Sequence, residues 1–453
     1  MKILLIDPTS IHQGPPPNIK NSDNEIQKMY NSRINEEVSN FLNIDKKNVN
    51  AMSAKYVSNY GLLMLSKILK DNGFEVDYIN GDYFSSQLNF LEHITLNVSN
   101  YDIVCLTGTT PQFCETKTIA EAIKKTNPNI KIILGGVHSK YYETNELDEC
   151  FDSVCIGYGL DQSLEVIKSI SLGNKFLRKN ISNHYFDYEK DFEAIPKDKI
   201  NSTLLYSYIN FGCNNSCNYC IEHKLIKGVC INDFETKLKE IEKLTNEYGA
   251  KFIHLADSDF LMSKKTVEKF IEYIKGKKIK ICFSFNTTPT LLIKYKNSDL
   301  FSRLKEIGLI EILIGIEHFS PQVQEKMNKE YNIDDFIESL YNLKYKSEIP
   351  IISLYSMVGL PFEYESDIKT NVEMLKKLYQ YGLYDFSFPK FFVPYPETDI
   401  YNNPQGFDVE IKNKNWDQYH RWQLPRPIII KEMSDKDYVN EIDQIHNIIL
   451  TKR

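Results

Sequence analysis

With 453 residues, the chain is too long for one ordinary domain, and its length predicts two or three. Hydrophobic residues make up 42% of it, enough for complete cores, while a net charge of −7 argues against a general nucleic-acid binder, which needs a basic surface. The first apolar run is too short for a signal peptide, and no run of about 18 apolar residues follows it. We therefore expect a cytoplasmic protein with no nucleic-acid or membrane partner.

The first third of the sequence alternates short apolar runs with helical patterns, which is typical of an open parallel sheet with helices on both faces. Residues 13–55 interrupt this alternation with a long polar excursion that contains some helix. We expect an α/β fold whose N-terminal domain, residues 1–175, is a doubly wound, Rossmann-like parallel sheet. Strands are predicted at residues 2–6, 75–79, 102–107, 131–134 and 153–156, and helices at 57–71, 116–125 and 162–171.

A second alternating region begins near residue 204, after a polar linker at residues 176–200. About six strand–helix units favour a partial (β/α)6 barrel of the TIM type over a second doubly wound sheet. The barrel is expected at residues 201–400, and a helical tail at 401–453. Strands are predicted at 204–209, 252–255, 280–285, 311–315, 351–357 and 384–391, and helices at 233–248, 264–275, 299–307, 333–346, 364–381 and 435–450.

Three closely spaced cysteines stand on the loop after the first predicted barrel strand: Cys213, Cys217 and Cys220, in a CxxxCxxC pattern. Thiolates are the protein ligands that iron–sulfur clusters prefer, and three of them leave one iron of a 4Fe–4S cluster open. That iron can chelate the amino and carboxylate groups of S-adenosylmethionine (SAM). The alternative is a zinc site, but zinc usually takes two ligand pairs, and no second pair stands at a suitable spacing.

The other six of the nine cysteines are expected to be mostly small buried hydrophobic residues. Cys105 and Cys155 fall in predicted core strands. Cys282 falls on a predicted barrel strand and could face the cavity, so it is kept as a candidate catalytic residue.

The cysteine pattern, with an aromatic residue before the third cysteine, resembles that of the radical SAM superfamily. Four later segments resemble the same family at corresponding strand ends: ADSDF at 256–260, GIEHFS at 315–320, GLPFE at 359–363 and PYPET at 394–398. In the last of these, Glu397 replaces the usual glycine. The resemblance covers about residues 202–400 and implies SAM contacts from Asp257, Ser258, Asp259 and Glu317. Ser284 and Asn286, which share one side of the predicted strand between these motifs, are also expected to face the cofactor. Alternatively, the two aspartates could cap the following helix and the glutamate could form a structural ion pair.

Residues 1–170 resemble the cobalamin-binding domain of cobalamin-dependent radical SAM enzymes. Small and hydroxyl-bearing residues at the predicted strand ends carry this likeness, because the backbone must approach a bulky corrin closely. They are Thr107, Thr109, Thr110, Gly135, Gly136, Val137, Gly157 and Gly159. A dinucleotide site is a rival interpretation, although no GxGxxG opens a helix, and a related sheet that no longer binds cobalamin is another.

No DxHxxG signature, which supplies a histidine to cobalt in other cobalamin proteins, is present. His12 and His138 are therefore expected to be loop residues. Tyr60 could face the cobalt, with core packing as its alternative role.

The resemblance implies three cofactors, a 4Fe–4S cluster, SAM and cobalamin, and an electron donor such as flavodoxin or ferredoxin. The commonest outcome in this family is methylation of an unactivated carbon on a small-molecule or peptide substrate. A deoxyadenosyl radical would abstract a hydrogen, and the substrate radical would take a methyl group from methylcobalamin.

Three other activities stay open. One is ring closure or another rearrangement, and one is peptide modification such as epimerisation, for which Cys230 or Cys282 would have to donate a hydrogen. A non-catalytic cobalamin or cluster sensor is the alternative from a different class. The aromatic and cationic segment at 416–427 is expected to pack against the open side of the barrel, or else to line the substrate cavity.

Overall fold

The computed structural model describes residues 1–9, 17–49, 56–57, 59–181, 189–199, 203–204, 206–226, 228–229, 234–422, 424–430 and 433–451. The chain divides into two compact units. The first comprises Met1–His12, Ala54–Leu204 and Asn415–His420, and the second comprises Gln13–Ser53, Leu205–Lys414 and Arg421–Arg453. Both are α/β, as predicted.

The strands are β1 Lys2–Asp7, β2 Tyr56–Val57, β3 Glu75–Asn80, β4 Ile103–Leu106, β5 Lys131–Leu134, β6 Ser153–Ile156, β7 Lys179–Ile181, β8 Thr203–Leu204, β9 Tyr206–Ser207, β10 Phe252–Leu255, β11 Cys282–Thr287, β12 Leu309–Glu317, β13 Ile351–Val358, β14 Phe386–Phe391, β15 Val409–Ile411 and β16 Ile428–Ile430. The α-helices are α1 Pro17–Leu42, α2 Tyr60–Asp71, α3 Gln87–Asn97, α4 Phe113–Thr126, α5 Leu160–Ser171, α6 Glu222–Leu225, α7 Phe234–Asn246, α8 Lys264–Lys277, α9 Pro289–Tyr295, α10 Leu300–Glu306, α11 Pro321–Lys326, α12 Ile333–Tyr341, α13 Glu365–Gln380, α14 Asp399–Asn402 and α15 Asp435–Leu450.

The first unit contains a parallel sheet of six described strands in the order β3-β1-β4-β5-β6-β7. Helices α2 and α5 pack together on the sheet through the core that includes Leu62, Leu65 and Ile167, and α3 packs with α4. The sheet grows in one direction from β1 to β3 and then in the other from β1 to β4. The neighbouring ends of β1 and β4 are therefore the topological switch point, where sheets of this kind bind ligands.

The second unit contains another parallel sheet of six described strands, with β9 to β14 side by side in sequence order. This is the order of a partial (β/α)6 barrel. Side chains alternate along each strand, and the register aligns His254, Ser284 and Glu311 across β10, β11 and β12. We call the face that carries them the inner face; Phe283 and Phe285 point the other way, towards Phe270 and Phe260.

The polar excursion near the N-terminus supplies a 26-residue helix, α1, that belongs to the second unit. Its apolar side, with Ile26, Tyr30, Ile34 and Val38, shares a core with inner-face residues such as Phe386. The Tyr30 ring meets the Phe386 and Phe388 rings edge-on, each at 5.3 Å between centroids. The excursion therefore fills the amino-terminal half of the inner face. Its polar sequence did not predict this packing.

One strand lies where a linker was expected. β7, at Lys179–Ile181, pairs with β6 and extends the first sheet by one strand. Its sequence, Lys-Asn-Ile, has too little apolar character to predict a strand, because an edge strand of three residues buries little.

A buried hydrogen bond fastens α1 to the sheet. The Tyr30 hydroxyl donates to Oε2 of Glu311 at 2.8 Å, and the Ser353 hydroxyl donates to Oε1 at 2.6 Å. Glu311 is fully buried, and burial raises the pKa of its carboxyl to about 7. Each lost donor would leave more of this buried carboxyl unpaired.

Replacing Tyr30 by Phe keeps the ring and removes only this donor. We expect the free energy of unfolding to fall by about 1–3 kcal/mol, measured by denaturant titration. Tyr341→Phe is the matched control, because the Tyr341 side chain is 51% exposed. Equal unfolding midpoints for both variants would show that the hydrogen bond does not hold α1 in place.

Candidate cofactor sites

The three cysteines lie directly after β9, at the carboxyl end of the second sheet. Their thiols are free; Cys217 is buried, and Cys213 and Cys220 are partly exposed. Burial raises the pKa of Cys213 to about 11 and that of Cys220 to about 12. Ligation of a cluster must therefore displace thiol protons, as is usual for metal binding. Three thiols on one loop fit a cluster that keeps one open iron.

The loop is anchored by two asparagines that the sequence had not singled out. The Asn218 backbone N–H donates to the Met327 carbonyl at 3.1 Å, and its side-chain amide donates to the Lys326 carbonyl at 2.8 Å. In the other direction, the side-chain amide of Asn328 donates to the Ser216 carbonyl of the cysteine loop at 2.8 Å. The cluster loop is thus fixed to the end of α11.

Gly212 sets the direction in which the loop leaves the sheet. Its φ of +80° lies in the left-handed region, and a Cβ at this position would stand 2.2 Å from the Gly228 carbonyl oxygen. A side chain is therefore excluded both by conformation and by space.

Asp257, which stays a predicted SAM contact, binds the start of the cluster loop in this structure. Its carboxylate oxygens accept the backbone N–H groups of Ile209 at 3.0 Å and Asn210 at 2.6 Å. The side chain is fully buried, and burial raises the pKa of its carboxyl to about 7. Asp257 thus joins the carboxyl end of β10 to the segment that leads into Cys213.

Asp259 acts in the same way on the next strand. Its carboxylate accepts hydrogen bonds from Thr287 Oγ1 at 2.8 Å and from the N–H and hydroxyl of Thr288 at 3.0 and 2.7 Å. It also accepts the Leu261 N–H at 3.2 Å, which is the capping role expected as the alternative to a SAM contact. Between the two aspartates, Ser258 is exposed at the end of β10.

Ser284 and Asn286 share the inner face with His254, which was not predicted from the sequence. His254 Nδ1 lies 2.8 Å from the Ser284 hydroxyl, and Nε2 lies 3.2 Å from the Asn286 amide nitrogen. The Asn286 amide also donates to the Asp257 carbonyl at 3.3 Å. Burial lowers the pKa of His254 to about 4, so this polar row is neutral. The alternation of residues along β10 was the signal that could have identified His254.

Glu317 ends β12 with a φ of +58°, which is unusual for a residue with a side chain. Its carboxylate forms an ion pair with Lys329 at 2.6 Å, which is the contact that the alternative interpretation expected. The Lys329 ammonium lies 5.8 Å from the Tyr219 ring, next to Cys220. Glu317 is therefore held at the edge of the cluster loop.

Glu397 stands where the resemblance expects glycine, and it keeps the backbone conformation that glycine favours. Its φ is +67°, and its carbonyl accepts the Lys224 ammonium at 2.9 Å. The same ammonium binds Asp399 at 2.6 Å. The turn is retained in spite of the substitution, with a strained residue in it.

A buried triad joins the GLPFE turn to the last helix. Ligand atoms of His318, Glu363 and Glu441 lie within 4.8 Å of one another. Glu363 accepts the N–H groups of Gly359 at 2.6 Å and Leu360 at 3.0 Å, so its side chain closes the turn.

The triad has the residue types of a metal site, and one buried ligand atom of each member, His318 Nε2, Glu363 Oε1 and Glu441 Oε2, makes no well-aligned hydrogen bond. His318 Nδ1 accepts the Ser320 N–H at 2.9 Å, so the ring proton is on Nε2, which faces Glu363 at 2.9 Å. Metal binding at Nε2 would require this proton to be displaced. Burial and the Glu363 carboxylate raise the pKa of Glu441 well above its usual value.

In the first unit, the switch point between β1 and β4 is lined by hydroxyl groups. Thr9 follows β1, and its carbonyl accepts the Gln112 amide at 3.1 Å. Thr109 is exposed after β4 and its hydroxyl donates to Gln112 Oε1 at 2.7 Å, whereas Thr107 and Thr110 are buried. Thr109 is thus the threonine of this loop that faces solvent.

Glycines allow the strand ends to approach each other. Gly136 has a φ of +87°, and a Cβ there would lie 2.6 Å from Thr107 Oγ1 and 2.7 Å from the Gly108 backbone. Gly135 has almost no neighbour at its Cβ position, and Val137 is 48% exposed. Gly157 has a φ of +85°, and a Cβ on Gly159 would collide with Cys155. The partly exposed backbone at 135–137 can approach a large planar ligand.

Other candidate residues pack in cores. His138 is buried; its ring stacks on Phe113 at 4.0 Å and meets Trp416 at 4.9 Å, and burial lowers its pKa to about 3. Cys282 is fully buried in the core that includes α1, and burial raises the pKa of its thiol to about 12. Tyr60 is buried beneath the Lys190 ammonium, at 4.0 Å from the ring centroid.

The tail does not pack as one segment. Residues 415–420 belong to the first unit, where Trp416 contacts His138 and Tyr141. The residues after them belong to the second unit, where Arg426 is buried and binds Asp435 at 2.8 Å. His12 and Cys230 lie outside the described residues.

Comparison with known proteins agrees with both sites. The sequence matches the B12 binding domain over residues 47–167 and the radical SAM superfamily over residues 207–375. An anaerobic magnesium-protoporphyrin IX monomethyl ester cyclase from Rubrivivax gelatinosus is 22% identical, across 82% of this chain and 70% of its own. An uncharacterised methyltransferase from Pyrococcus horikoshii is 23% identical, across 70% of this chain and 72% of its own.

Two solved structures share the fold. The radical SAM methyltransferase TsrM from Kitasatospora setae, with cobalamin and a 4Fe–4S cluster bound, superposes with a TM-score of 0.64 at 14% identity, covering 90% of this chain and 80% of TsrM. The cobalamin-dependent radical SAM enzyme OxsB superposes with a TM-score of 0.60 at 14% identity, covering 94% of this chain and 57% of OxsB.

The cluster loop and the second sheet, with the family match over them, define a radical SAM enzyme. The chain thus combines a B12 binding domain with a radical SAM domain, the pair of domains that cobalamin-dependent radical SAM enzymes have. The cofactors of that family are the three expected from the sequence. In the part of the chain that the structure describes, no helix is both long and apolar enough to cross a membrane.

The contacts of Asp257 predict a positioning role. Asp257→Asn should weaken the hydrogen bonds to the backbone N–H groups of Ile209 and Asn210, and an unpaired buried donor costs about 1–3 kcal/mol. We therefore expect the iron retained per chain after gel filtration to drop at least about twofold. Asp334→Asn, at an exposed site, is the control. If iron is unchanged and only the KM for SAM rises, Asp257 acts on SAM and not on the loop.

The triad predicts a pH effect of known sign. Because the folded-state pKa of Glu441 is raised, its contribution to stability is full below its unfolded pKa and is lost as the pH rises towards the folded one. Glu441→Gln removes this loss. The free energy of unfolding of the variant, relative to that of wild type, should rise by up to about 1.4 kcal/mol per pH unit above about pH 5. Denaturant unfolding at about pH 5.5 and about pH 8.5 measures this difference.

The matched control for this experiment is Glu325→Gln, on an exposed part of α11. A difference between Glu441→Gln and wild type that is the same at both pH values would mean that Glu441 is ionised in the folded protein.

Proposed function

We propose that this enzyme is a C-methyltransferase that acts on an unactivated carbon by way of a deoxyadenosyl radical. One observation carries the proposal: the cysteine loop is built onto the carboxyl edge of one parallel sheet, and a B12-type parallel sheet with a hydroxyl-lined switch point is part of the same chain. TsrM, which shares the fold, is a methyltransferase, and this supports the choice of reaction.

Three groups of residues would hold the cofactors. Cys213, Cys217 and Cys220 would bind the cluster. For SAM, we propose the edge beside the loop, with Ser258, Ser284, Asn286 and Glu317. Cobalamin would lie over the first sheet, on Thr109, Gly135–Val137 and Gly157. When bound, these groups supply electron transfer, a carbon radical and a transferable methyl group.

The protein's own contribution is position and charge. Asp257 and Asp259 use their carboxylates on backbone and threonine donors, so they orient the strand ends and the cluster loop. The neutral row of His254, Ser284 and Asn286 offers hydrogen bonds without adding charge to the inner face. Helix α1 closes the amino-terminal half of that face with apolar side chains, which excludes water from it.

Ring formation is the second candidate, because relatives from Rubrivivax gelatinosus and Cereibacter sphaeroides are cyclases at 22% and 23% identity. Peptide epimerisation would have to use Cys230, which lies outside the described residues, because Cys282 is fully buried in an apolar core. We propose a small-molecule or peptide substrate and a flavodoxin or ferredoxin as reductant.

The test uses protein purified without oxygen and reconstituted with iron, sulfide and hydroxocobalamin. With a strong reductant and SAM carrying a trideuterated methyl group, we expect deoxyadenosine, S-adenosylhomocysteine and labelled methylcobalamin, measured by mass spectrometry. Methylation consumes two SAM molecules in different ways, so both SAM products should appear. Deoxyadenosine without S-adenosylhomocysteine or methylcobalamin would contradict methyl transfer and favour ring formation.

The cysteine variant is the control for the radical step. Replacing Cys213, Cys217 and Cys220 together by alanine should lower iron to background and deoxyadenosine at least about a hundredfold, because no thiolate remains to hold the cluster. Cys282→Ala removes a thiol that is buried elsewhere and should keep both. Equal iron in the two variants would overturn the ligand assignment.

A further inference from the structure

A lysine near the carboxyl end of the last barrel strand lies in an unusual setting. Lys390 on β14 pairs in register with Met357, two residues beyond Phe388, so it shares the inner face with Phe388 and Tyr355. It is partly buried, and its ammonium lies 3.6 Å from the centroid of the Trp422 ring. This cation–π contact is the one short interaction of its charge among the described residues.

A second cation lies beside the first. The Arg421 carbonyl accepts the Phe391 N–H at 3.1 Å, which places Arg421 alongside β14. The Arg421 guanidinium acts electrostatically on Lys390, Tyr355 and Tyr395. We call these two residues the Lys390–Arg421 pair.

In the described part of the chain, no carboxylate lies within 4.0 Å of either member of the pair. Other partly buried lysines of this unit do have such a partner, as Lys329 and Lys344 do at 2.6 and 2.7 Å. Asp23 on α1 acts on Lys390 from farther away, and His446 on α15 is the other titratable group beside it. Burial lowers the pKa of Lys390 to about 7, which fits an ammonium without a close counter-ion.

Two neighbouring cations without an anion repel each other, and partial burial strengthens the repulsion. An anion between them would remove this cost and gain charge-assisted hydrogen bonds from both. Trp422 lies against Lys390, and Tyr355 and Tyr395 are within electrostatic reach of Arg421, so the rest of such a ligand would have aromatic surfaces nearby.

We propose that the Lys390–Arg421 pair binds an anionic group of the substrate, a carboxylate or a phosphate carried on an apolar or aromatic body. This inference rests on the proposed function, because it treats the inner face as the substrate cavity. It adds a substrate class and a pair of specificity-determining residues. A purely structural role for Lys390, packing on Trp422, requires no anion.

The test is calorimetric titration of the full-length, cofactor-reconstituted protein with three probes of similar shape. Phenylacetate and phenyl phosphate carry the two anionic groups, and phenylacetamide is their neutral counterpart. We expect at least one anion to bind about tenfold more tightly than the amide, since charge-assisted hydrogen bonds are lost with the amide. The anion that binds more tightly identifies the substrate's group as carboxylate or phosphate.

Variants assign the binding to the pair. Lys390→Met and Arg421→Met should each abolish the tenfold preference, and Lys390→Arg should keep part of it. Lys376→Met removes an exposed lysine of α13 and should change nothing. If Lys390→Met does not fold, Arg421→Met and Lys390→Arg still show whether the anion preference depends on the pair. Arg421 is exposed, so its replacement should leave the fold intact.

Two results would overturn the proposal: binding of the amide as tight as that of both anions, or an anion preference that survives Arg421→Met and Lys390→Met. The titration needs no turnover, so its outcome is separate from that of the methylation assay. Methyl transfer by wild-type protein without any anion preference would keep the proposed function and remove the anion site.

Discussion

The hydrogen bonds from Ile209 and Asn210 to the Asp257 carboxylate are the interaction on which the rest of the second unit depends. Three thiols can hold one cluster only if their loop leaves the sheet in a fixed direction. A fully buried carboxylate achieves this because it satisfies two backbone donors that would otherwise be unpaired in an apolar setting. Asn218 and Asn328 fix the far side of the loop in the same way, with side-chain amides on backbone carbonyls.

Helix α1 decides how much of the inner face remains for ligands. The apolar side of this helix covers the amino-terminal half of the face, and its Tyr30 hydroxyl reaches the buried Glu311. Polar and charged groups are left towards the carboxyl ends of the strands, where His254, Asn286 and Lys390 lie. The sequence excursion thus divides one continuous face into an apolar core and a rim of polar and charged side chains.

The parallel sheets and the cluster ligands could be predicted from sequence because their signals are local. Buried parallel strands are short apolar runs, and three cysteines at this spacing are typical of few kinds of site besides an iron–sulfur cluster. Strand β7 could not be predicted, since three residues at a sheet edge bury too little to leave a pattern. The docking of α1 could not be predicted either, because its partners, such as Glu311 and Phe386, lie far away along the chain.

The predicted SAM contacts show a different kind of limit. A motif names the residues at a strand end, but not which atoms their side chains reach. Asp257 and Asp259 carry the resemblance, and the structure commits both carboxylates to backbone and threonine donors. What remains to meet a ligand is the exposed serine between them, the neutral amide and imidazole of the inner face, and Glu317 held by Lys329. Asp257 and Asp259 thus hold the strand ends and the cysteine loop in position. Lys390 on the inner face and Arg421 alongside β14 are cations for which the described part of the chain supplies no close counter-ion.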